Sequence, residues 1–305
     1  MLNALGQAKD LCEIFAPTKQ QTPPAGAGEC AAPKLLQYAY RNALQPICMA
    51  EFWWGASPRG EVRRHGNFYP SCNSKCKPIL LYMMQGLKVD ENPLEKIIPS
   101  NPTILWEDES MVVINKPEGM LSVEGKSGVM SAEQWAKERY PMATGPMIVH
   151  RLDQSTSGIL LIAKDKEAHK ALQEQFISHT IKKEYTALLE GRINSHAGRI
   201  SLPLKLDYEH RPRQMVAQDG RSAVTEYEVL SISDNRTLIR FRPLTGRTHQ
   251  LRVHSAHDKG LGCPIVGDDI YGYGGRERLH LHASRIEFRH PLTQEPITIL
   301  CEAPF

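Results

Sequence analysis

Asp153 is the side chain in this sequence best placed to do chemistry. It sits in the run His150-Arg151-Leu152-Asp153-Gln154-Ser155-Thr156-Ser157-Gly158, which sets one carboxylate in a turn beside an Arg and a His, directly ahead of an apolar stretch. A carboxylate in that setting can serve as a nucleophile. Residues 159–163 read as a buried strand, and Ala168, Ala171, Leu172 and Phe176 then recur at helical spacing. Asp153 is therefore expected on a loop at a sheet edge, where a scaffold can hold it rigidly. The tetrapeptide at 150–153 alone would be a weak signal, because Arg and Asp are common neighbours on solvated loops. The whole run, followed by strand and helix, is far more specific. A second constellation lies further along: Gly246-Arg247-Thr248-His249-Gln250-Leu251-Arg252-Val253-His254, then Cys263-Pro264-Ile265-Val266-Gly267-Asp268 and Tyr271-Gly272.

Together the two runs resemble the RluA-type family of RNA pseudouridine synthases. Further marks of that family are Asn115-Lys116-Pro117 with Gly119, Lys183-Glu184-Tyr185 opening a strand, and Leu281-His282-Ala283 before Phe288 and His290-Pro291. The resemblance spans residues 104–304. It implies an isomerisation in which uracil leaves the ribose, rotates and reattaches through carbon 5. No redox change occurs, so no cofactor is needed. The site must supply a carboxylate near the anomeric carbon, a dry pocket and a support for the loose base.

The resemblance gives Asp153 the role of catalytic carboxylate. It attacks ribose or base, or assists a glycal-like intermediate, and the sequence leaves these open. An enclosed carboxylate tends to take up a proton unless a cation holds it ionised. Arg252 stands at the family's position for that cation, able to make a two-pronged pair, with a phosphate contact as the alternative. Tyr185 matches the tyrosine whose ring packs on the target base and whose hydroxyl can help remove the carbon 5 proton. A Tyr opening a strand is otherwise ordinary packing. Leu251 or Ile265 would supply an apolar wall. Because the target uridine lies stacked inside RNA, it must be extruded or caught in an open loop. His150 and Arg151 are placed to fill the vacated space or hold adjacent phosphates, and Arg247 to meet RNA or buttress the loop. Thr156, His249 and Gln250 complete the expected substrate-binding set.

Rival readings are weaker. His249, His254, His257, His280 and His282 could coordinate zinc in a hydrolase, but no His-Glu-x-x-His run is present. Cys72, Cys76, His65 and Cys48 could form a structural zinc site, against a plainer reading as ordinary thiols; no metal is expected. A catalytically inactive RNA-binding or folding protein on the same fold is the alternative of another class, and the presence of Asp153, Tyr185 and Arg252 together argues against it. Between His254 and Pro264 the chain is longer than the family's usual loop, which bears on the RNA contact rather than the chemistry.

The elements that must position these residues follow from pattern. At 305 residues, with 41% apolar and 23% charged side chains, the chain suits one large globular domain plus an extra segment. No run approaches a membrane span, the start lacks a leader-like pattern, and seven Cys in no regular framework suggest reduced thiols. A cytoplasmic location is expected, with RNA as partner and no obligate protein partner evident. The net charge of +3 is too small to argue for nucleic acid, but Arg236, Arg240, Arg242, Arg247 and Arg252 run with no acid between them. A second basic cluster, Arg59, Arg63, Arg64, Lys75 and Lys77, is opposed only by Glu61. Such local excesses can neutralise phosphates.

Residues 1–15 and 34–49 show helical spacing, separated by a Pro-rich loop, and 78–84 form a short apolar element. This stretch is not the small RNA-binding module that often precedes the catalytic domain. It is similar to an accessory segment of a longer subgroup, so the chain is expected to begin partway through such a region. Pro93, Pro99 and Pro102 mark a linker, giving an accessory segment over 1–100 and a catalytic domain over 101–305. Beyond it, strands are expected at 103–106, 111–115, 183–190, 199–206, 214–217, 223–232, 238–242 and 297–301, with helices at 132–140 and 248–257. Strand runs interrupted by helices indicate an α+β fold with a mixed, mainly antiparallel central sheet and flanking helices. The resemblance adds an RNA-binding cleft dividing that sheet.

Overall fold

A computed structural model describes residues 1–18, 20–55, 65–66, 75–89, 101–125, 129–273 and 277–305. The chain divides into two compact units, Met1–Asn92 and Pro93–Phe305. Among the described residues the first holds three short helices, α1 (Leu11–Phe15), α2 (Ala31–Arg41) and α3 (Lys77–Met83). Phe15, Leu36, Ile79 and Met83 close a small core between them. Asp10 and Glu13 cap α1 reciprocally, each side chain accepting the other's backbone N–H. The helix expected over 1–15 shrinks to α1, because residues 1–9 instead fold back through a bridge between Leu2 and Ala8. That expected over 34–49 ends at Arg41. The linker prolines at 93 and 99, Cys72, and the arginines at 59, 63 and 64 lie outside the described residues.

The second unit is built on nine strands: β1 (Thr103–Glu107), β2 (Met111–Lys116), β3 (Ser157–Ala163), β4 (Lys182–Glu190), β5 (Ala197–Ser201), β8 (Val224–Ser233), β9 (Arg236–Pro243), β10 (Leu281–Arg289) and β11 (Pro296–Leu300). Their order is β1-β2-β3-β10-β4-β9-β8-β5, with β11 also on β10. A separate hairpin pairs β6 (Leu204–Leu206) with β7 (Gln214–Val216). Helices α4 (Ala132–Arg139), α5 (Lys166–Ile177) and α6 (Gln250–Ala256) complete the α+β fold. The stretch expected as one strand over 199–206 is two, since the residues between β5 and β6 include Pro203, which has no N–H to give a ladder.

Among the described residues every pairing between the named strands is antiparallel except one. β3 and β10 run parallel for two residues only, His282 beside Ser157 and Ala283 beside Gly158. At this seam a side chain on Gly158 would meet the backbone of Ala283 at 2.4 Å, and its φ of 112° also favours glycine. Beyond the seam the open edge of β3 is taken by the chain approaching Asp153. Ile148 bridges Ile162, Ala163 N–H donates to Met147 C=O, and Nε2 of His150 accepts the N–H of Leu161 at 3.0 Å. Two cores flank the seam. One gathers β2, β3, α4 and α5 around Ile114, Leu160 and Leu172; the other packs Leu251 and Ile265 on Leu189, Phe241 and Leu281.

Candidate active site

Asp153 stands on a loop clamped from both sides. The Ser122 hydroxyl donates to Leu152 C=O and accepts the Leu152 N–H. Gln154 exchanges bonds with the backbone of Gly119 in both directions. Thr156 N–H donates to Asp153 C=O and closes the turn. Behind the loop, Nζ of Lys116, wholly buried, donates to the carbonyls of Pro117, Met120 and Gln154 at 2.9, 2.8 and 3.3 Å. Burial pulls Lys116 down to about 7, opposed by the charges of Asp153 and Glu118.

The Asp153 carboxylate, its side chain 31% exposed, opens into a cleft of about 590 Å3. Tyr185, Arg252, His150, Arg151, Thr156, Arg247, His249, Gln250 and Leu251 line the same cleft, so two runs far apart in sequence meet in space. Ile265 does not: it is 1% exposed and bridges Leu189 in the core. Leu281, in the sequence only part of the family mark Leu281-His282-Ala283 and given no site role there, lines the cleft beside Leu251. Lys183 adds a cation there, held down by burial.

Several expected roles change once partners are seen. His150 cannot hold a phosphate as a cation. Its ring stacks on Phe176 at 4.6 Å, its Nε2 accepts a backbone N–H, and desolvation with Lys183 nearby pushes its pKa down to about 3. Gln250 is spent on the protein: its Oε1 accepts from Arg247 N–H and the Thr245 hydroxyl, and its Nε2 donates to Val224 C=O and the Thr225 hydroxyl. Arg247 is exposed and donates to Ser222 C=O, while Arg151 is exposed at the rim.

Arg252 differs most. Its Nε and Nη2 fork onto Asp268 at 2.8 and 2.6 Å, and Nη2 also reaches Asp269 at 2.9 Å. Both Arg252 and Asp268 are almost wholly buried, and the pair holds Asp268 well below the usual carboxylate range. Asp153 contributes to the field at Arg252 but makes no ion pair with it. Tyr185, half-buried on β4, has its hydroxyl pKa raised by desolvation and by the Asp153 charge, so it stays a phenol at neutral pH.

The arginine run is also redistributed. The pleat sends Tyr185 and Glu184 to opposite faces of β4. On the Glu184 face, Arg240 and Arg242 bridge Glu184 and Glu228, and Arg236 pairs with Glu277. Acids on the neighbouring strands β4 and β8, and Glu277 ahead of β10, thus neutralise charges that look unopposed in sequence. The five histidines of the zinc reading also part company: His254 bonds Thr225 and Leu202, and His282 bonds Ser157. No group of three metal-ligating side chains occurs among the described residues. The longer loop after α6 folds back on the helix end, Cys263 N–H donating to Ser255 C=O. No helix among the described residues is long and apolar enough to cross a membrane.

A family profile described as RNA pseudouridylate synthase matches residues 110–257, which contain both the Asp153 loop and α6. The dual-specificity RNA pseudouridine synthase RluA of Haemophilus ducreyi is 42% identical over 223 residues, 68% of this chain and 96% of the relative. The chain belongs to the RluA-type RNA pseudouridine synthases. The RluA of Yersinia pestis is 39% identical over 213 residues, 66% of this chain and 99% of its own length. Among solved structures, human RNA pseudouridylate synthase domain containing 1 is similar at 28% identity and a TM-score of 0.58, covering 71% of this chain and 87% of that one. As a member of this family the chain is an isomerase, and the mixed, mainly antiparallel α+β architecture read from its sequence is the one its structural neighbours share.

Proposed function

We propose that this chain converts particular uridines in structured RNA, ribosomal or transfer, to pseudouridine, with Asp153 as the catalytic carboxylate. The observation that carries the reading is the Asp153 carboxylate in a cleft where Tyr185, Leu251 and Leu281 supply the apolar surface and Arg151, Lys183 and Arg247 supply positive charge. That combination suits an extruded base with its flanking phosphates. The name of the similar Haemophilus protein, dual-specificity, supports two RNA classes as substrates.

Tyr185 is assigned to packing on the base and to hydrogen bonding. A phenol whose ionisation is opposed by both desolvation and Asp153 is a poor free base. Arg252 is assigned to holding α6 against the segment at 268–269, so that His249 and Leu251 face the cleft. Arg151 and Arg247 take phosphates, and Thr156 keeps the turn shape. The reaction needs no cofactor, and the cytoplasm, where RNA substrates and reduced thiols are found, is the proposed location. For residues 1–100 we propose added RNA affinity, supported by the exposed Tyr38 and Trp54 and by Lys75.

Tritium release from RNA labelled at uridine carbon 5 tests the activity. Release with wild-type protein is the expected result. Tight RNA binding without release would instead favour an RNA-binding protein on the same fold. Mapping pseudouridines in cells with and without the gene then identifies the RNA.

A further inference from the structure

With Arg252 forked on Asp268, the carboxylate of Asp153 has a different neighbour. Among the described residues, the only nitrogen in an ion-pair distance of it is Nε2 of His249, 3.9 Å from Oδ2. His249 precedes α6 in a left-handed backbone conformation, φ 53°, and is 9% exposed. Its other ring nitrogen, Nδ1, lies 2.8 Å from the hydroxyl of Tyr271. That hydroxyl is 2.6 Å from the backbone N–H of Gln214 on β7.

The direction of these bonds follows from what each group can do. A backbone N–H only donates, so Gln214 occupies a lone pair of the Tyr271 oxygen. Among the described residues His249 Nδ1 is the one acceptor within reach of the hydroxyl hydrogen; a second donation into the same oxygen, from Nδ1–H, would leave that hydrogen without a protein partner, so the arrangement favours Nδ1 as the acceptor. A neutral imidazole that accepts at Nδ1 carries its hydrogen at Nε2, the atom turned to Asp153. The ring is indeed kept neutral. Burial and Arg252 lower its pKa, outweighing the opposing charges of Asp153, Asp268 and Asp269. Tyr271 is itself held as a phenol, its pKa pushed up to about 12 by burial.

We propose that Tyr271 is a positioning residue that fixes His249 as the Nε2–H tautomer, making His249 the hydrogen-bond donor that orients the Asp153 carboxylate during turnover. The inference rests on the reading of Asp153 as the catalytic carboxylate. At 3.9 Å the contact is longer than a hydrogen bond, and active-site contacts of this kind tighten when substrate is bound. The hairpin β6–β7 enters the account through Gln214. Tyr271 lines a second cavity of about 520 Å3 between that hairpin and α6, where Arg213 lies over its ring at 5.2 Å. Displacement of β7 would release the hydroxyl and with it the tautomer.

The test uses the full chain labelled with 15N at histidine. Two-bond proton–nitrogen correlation spectra distinguish the tautomers, and the His249 signal is the one lost in His249→Gln. The expected parent pattern is Nε2–H, shifting to a mixture in Tyr271→Phe. With the tautomer, kcat at saturating RNA should fall about tenfold to a hundredfold, less than for loss of a direct donor, while KM is unchanged. His249→Gln, whose amide nitrogen can stand where Nε2 stood, should keep several-fold more turnover than His249→Asn. A parental tautomer and parental kcat in Tyr271→Phe, or equal losses in the Gln and Asn variants, would overturn the relay and leave the Asp153 reading intact. Parental turnover by Asp153→Asn would remove that reading and the relay with it.

Discussion

Arg252 and Asp268 form a two-pronged ion pair at 2.8 and 2.6 Å in which neither residue is more than 2% exposed. A guanidinium and a carboxylate removed from water in this way depend on each other, and taking one away leaves the other buried and uncompensated. Arg252→Met should therefore destabilise the catalytic unit by about 3–5 kcal/mol, visible in denaturant unfolding. Asp268→Asn in the same background should recover part of the loss. If Arg252 acted on Asp153 instead, stability would hold and the acid limb of the pH–rate profile would move up.

Lys116 supplies the pH dependence. Its pKa falls from 10.5 in the unfolded chain to about 7 in the fold. Between those values the unfolded state holds the extra proton, so this group's contribution to stability rises with pH and is complete only above the unfolded value. The full difference is on the order of 3–5 kcal/mol. Lys116→Met lacks the rise. The stability of the parent relative to the variant should grow as pH climbs from 7 to 10, in urea titrations at each pH. A constant difference would mean that Lys116 keeps its proton throughout. The variant should also lose kcat, because three carbonyls around the Asp153 loop lose their donor.

Gly158→Ala tests the seam. An added methyl would lie 2.4 Å from the Ala283 carbonyl oxygen, in the middle of two strands that cannot shift independently. A loss of more than about 3 kcal/mol in stability is expected, with Asp153 displaced along with β3. Wild-type stability would show that β3 and β10 separate at little cost.

The role of Tyr185 is divided by two substitutions. Tyr185→Phe should retain RNA affinity and a measurable rate, whereas Tyr185→Ala should lose more in both, on the order of 1–3 kcal/mol in base packing. Single-turnover tritium release with RNA in excess distinguishes them. Equal activity of Tyr, Phe and Ala would make Tyr185 an ordinary strand residue.

The Asp153 loop, strand β3 and helix α5 were legible because an apolar run between a turn and a 3.6-residue period has few alternative readings. The strand β10 was not, although it pairs with three others. Apolar and polar side chains alternate over Leu281–Ser284 and again over Ile286–Arg289, but the phase slips at Arg285, where the pairing with β4 shifts register, and the polar His282 and Ser284 are enclosed by Ser157 and Thr186 rather than by solvent. The cleft's membership followed from the two runs, but the assignment of partners did not. Nothing in the spacing of Arg252 distinguishes Asp153 from Asp268, and nothing near Gln250 announces that all its bonds are spent. Ile265 looks the same in sequence whether it lines a pocket or fills a core. The cross-strand neutralisation of Arg240 and Arg242 depends on the register of β4, β8 and β9, which only pairing reveals.

Asp153→Asn tests the central claim most directly. The substitution keeps size and the backbone bonds of the loop, which go through Leu152, Gln154 and Thr156, and removes only the charge. Tritium release from carbon 5-labelled RNA should drop below detection while RNA binding, measured on the same preparation, stays within a few-fold of the parent. Pseudouridine formation at near-parental rate would contradict the assignment of Asp153 as the catalytic carboxylate.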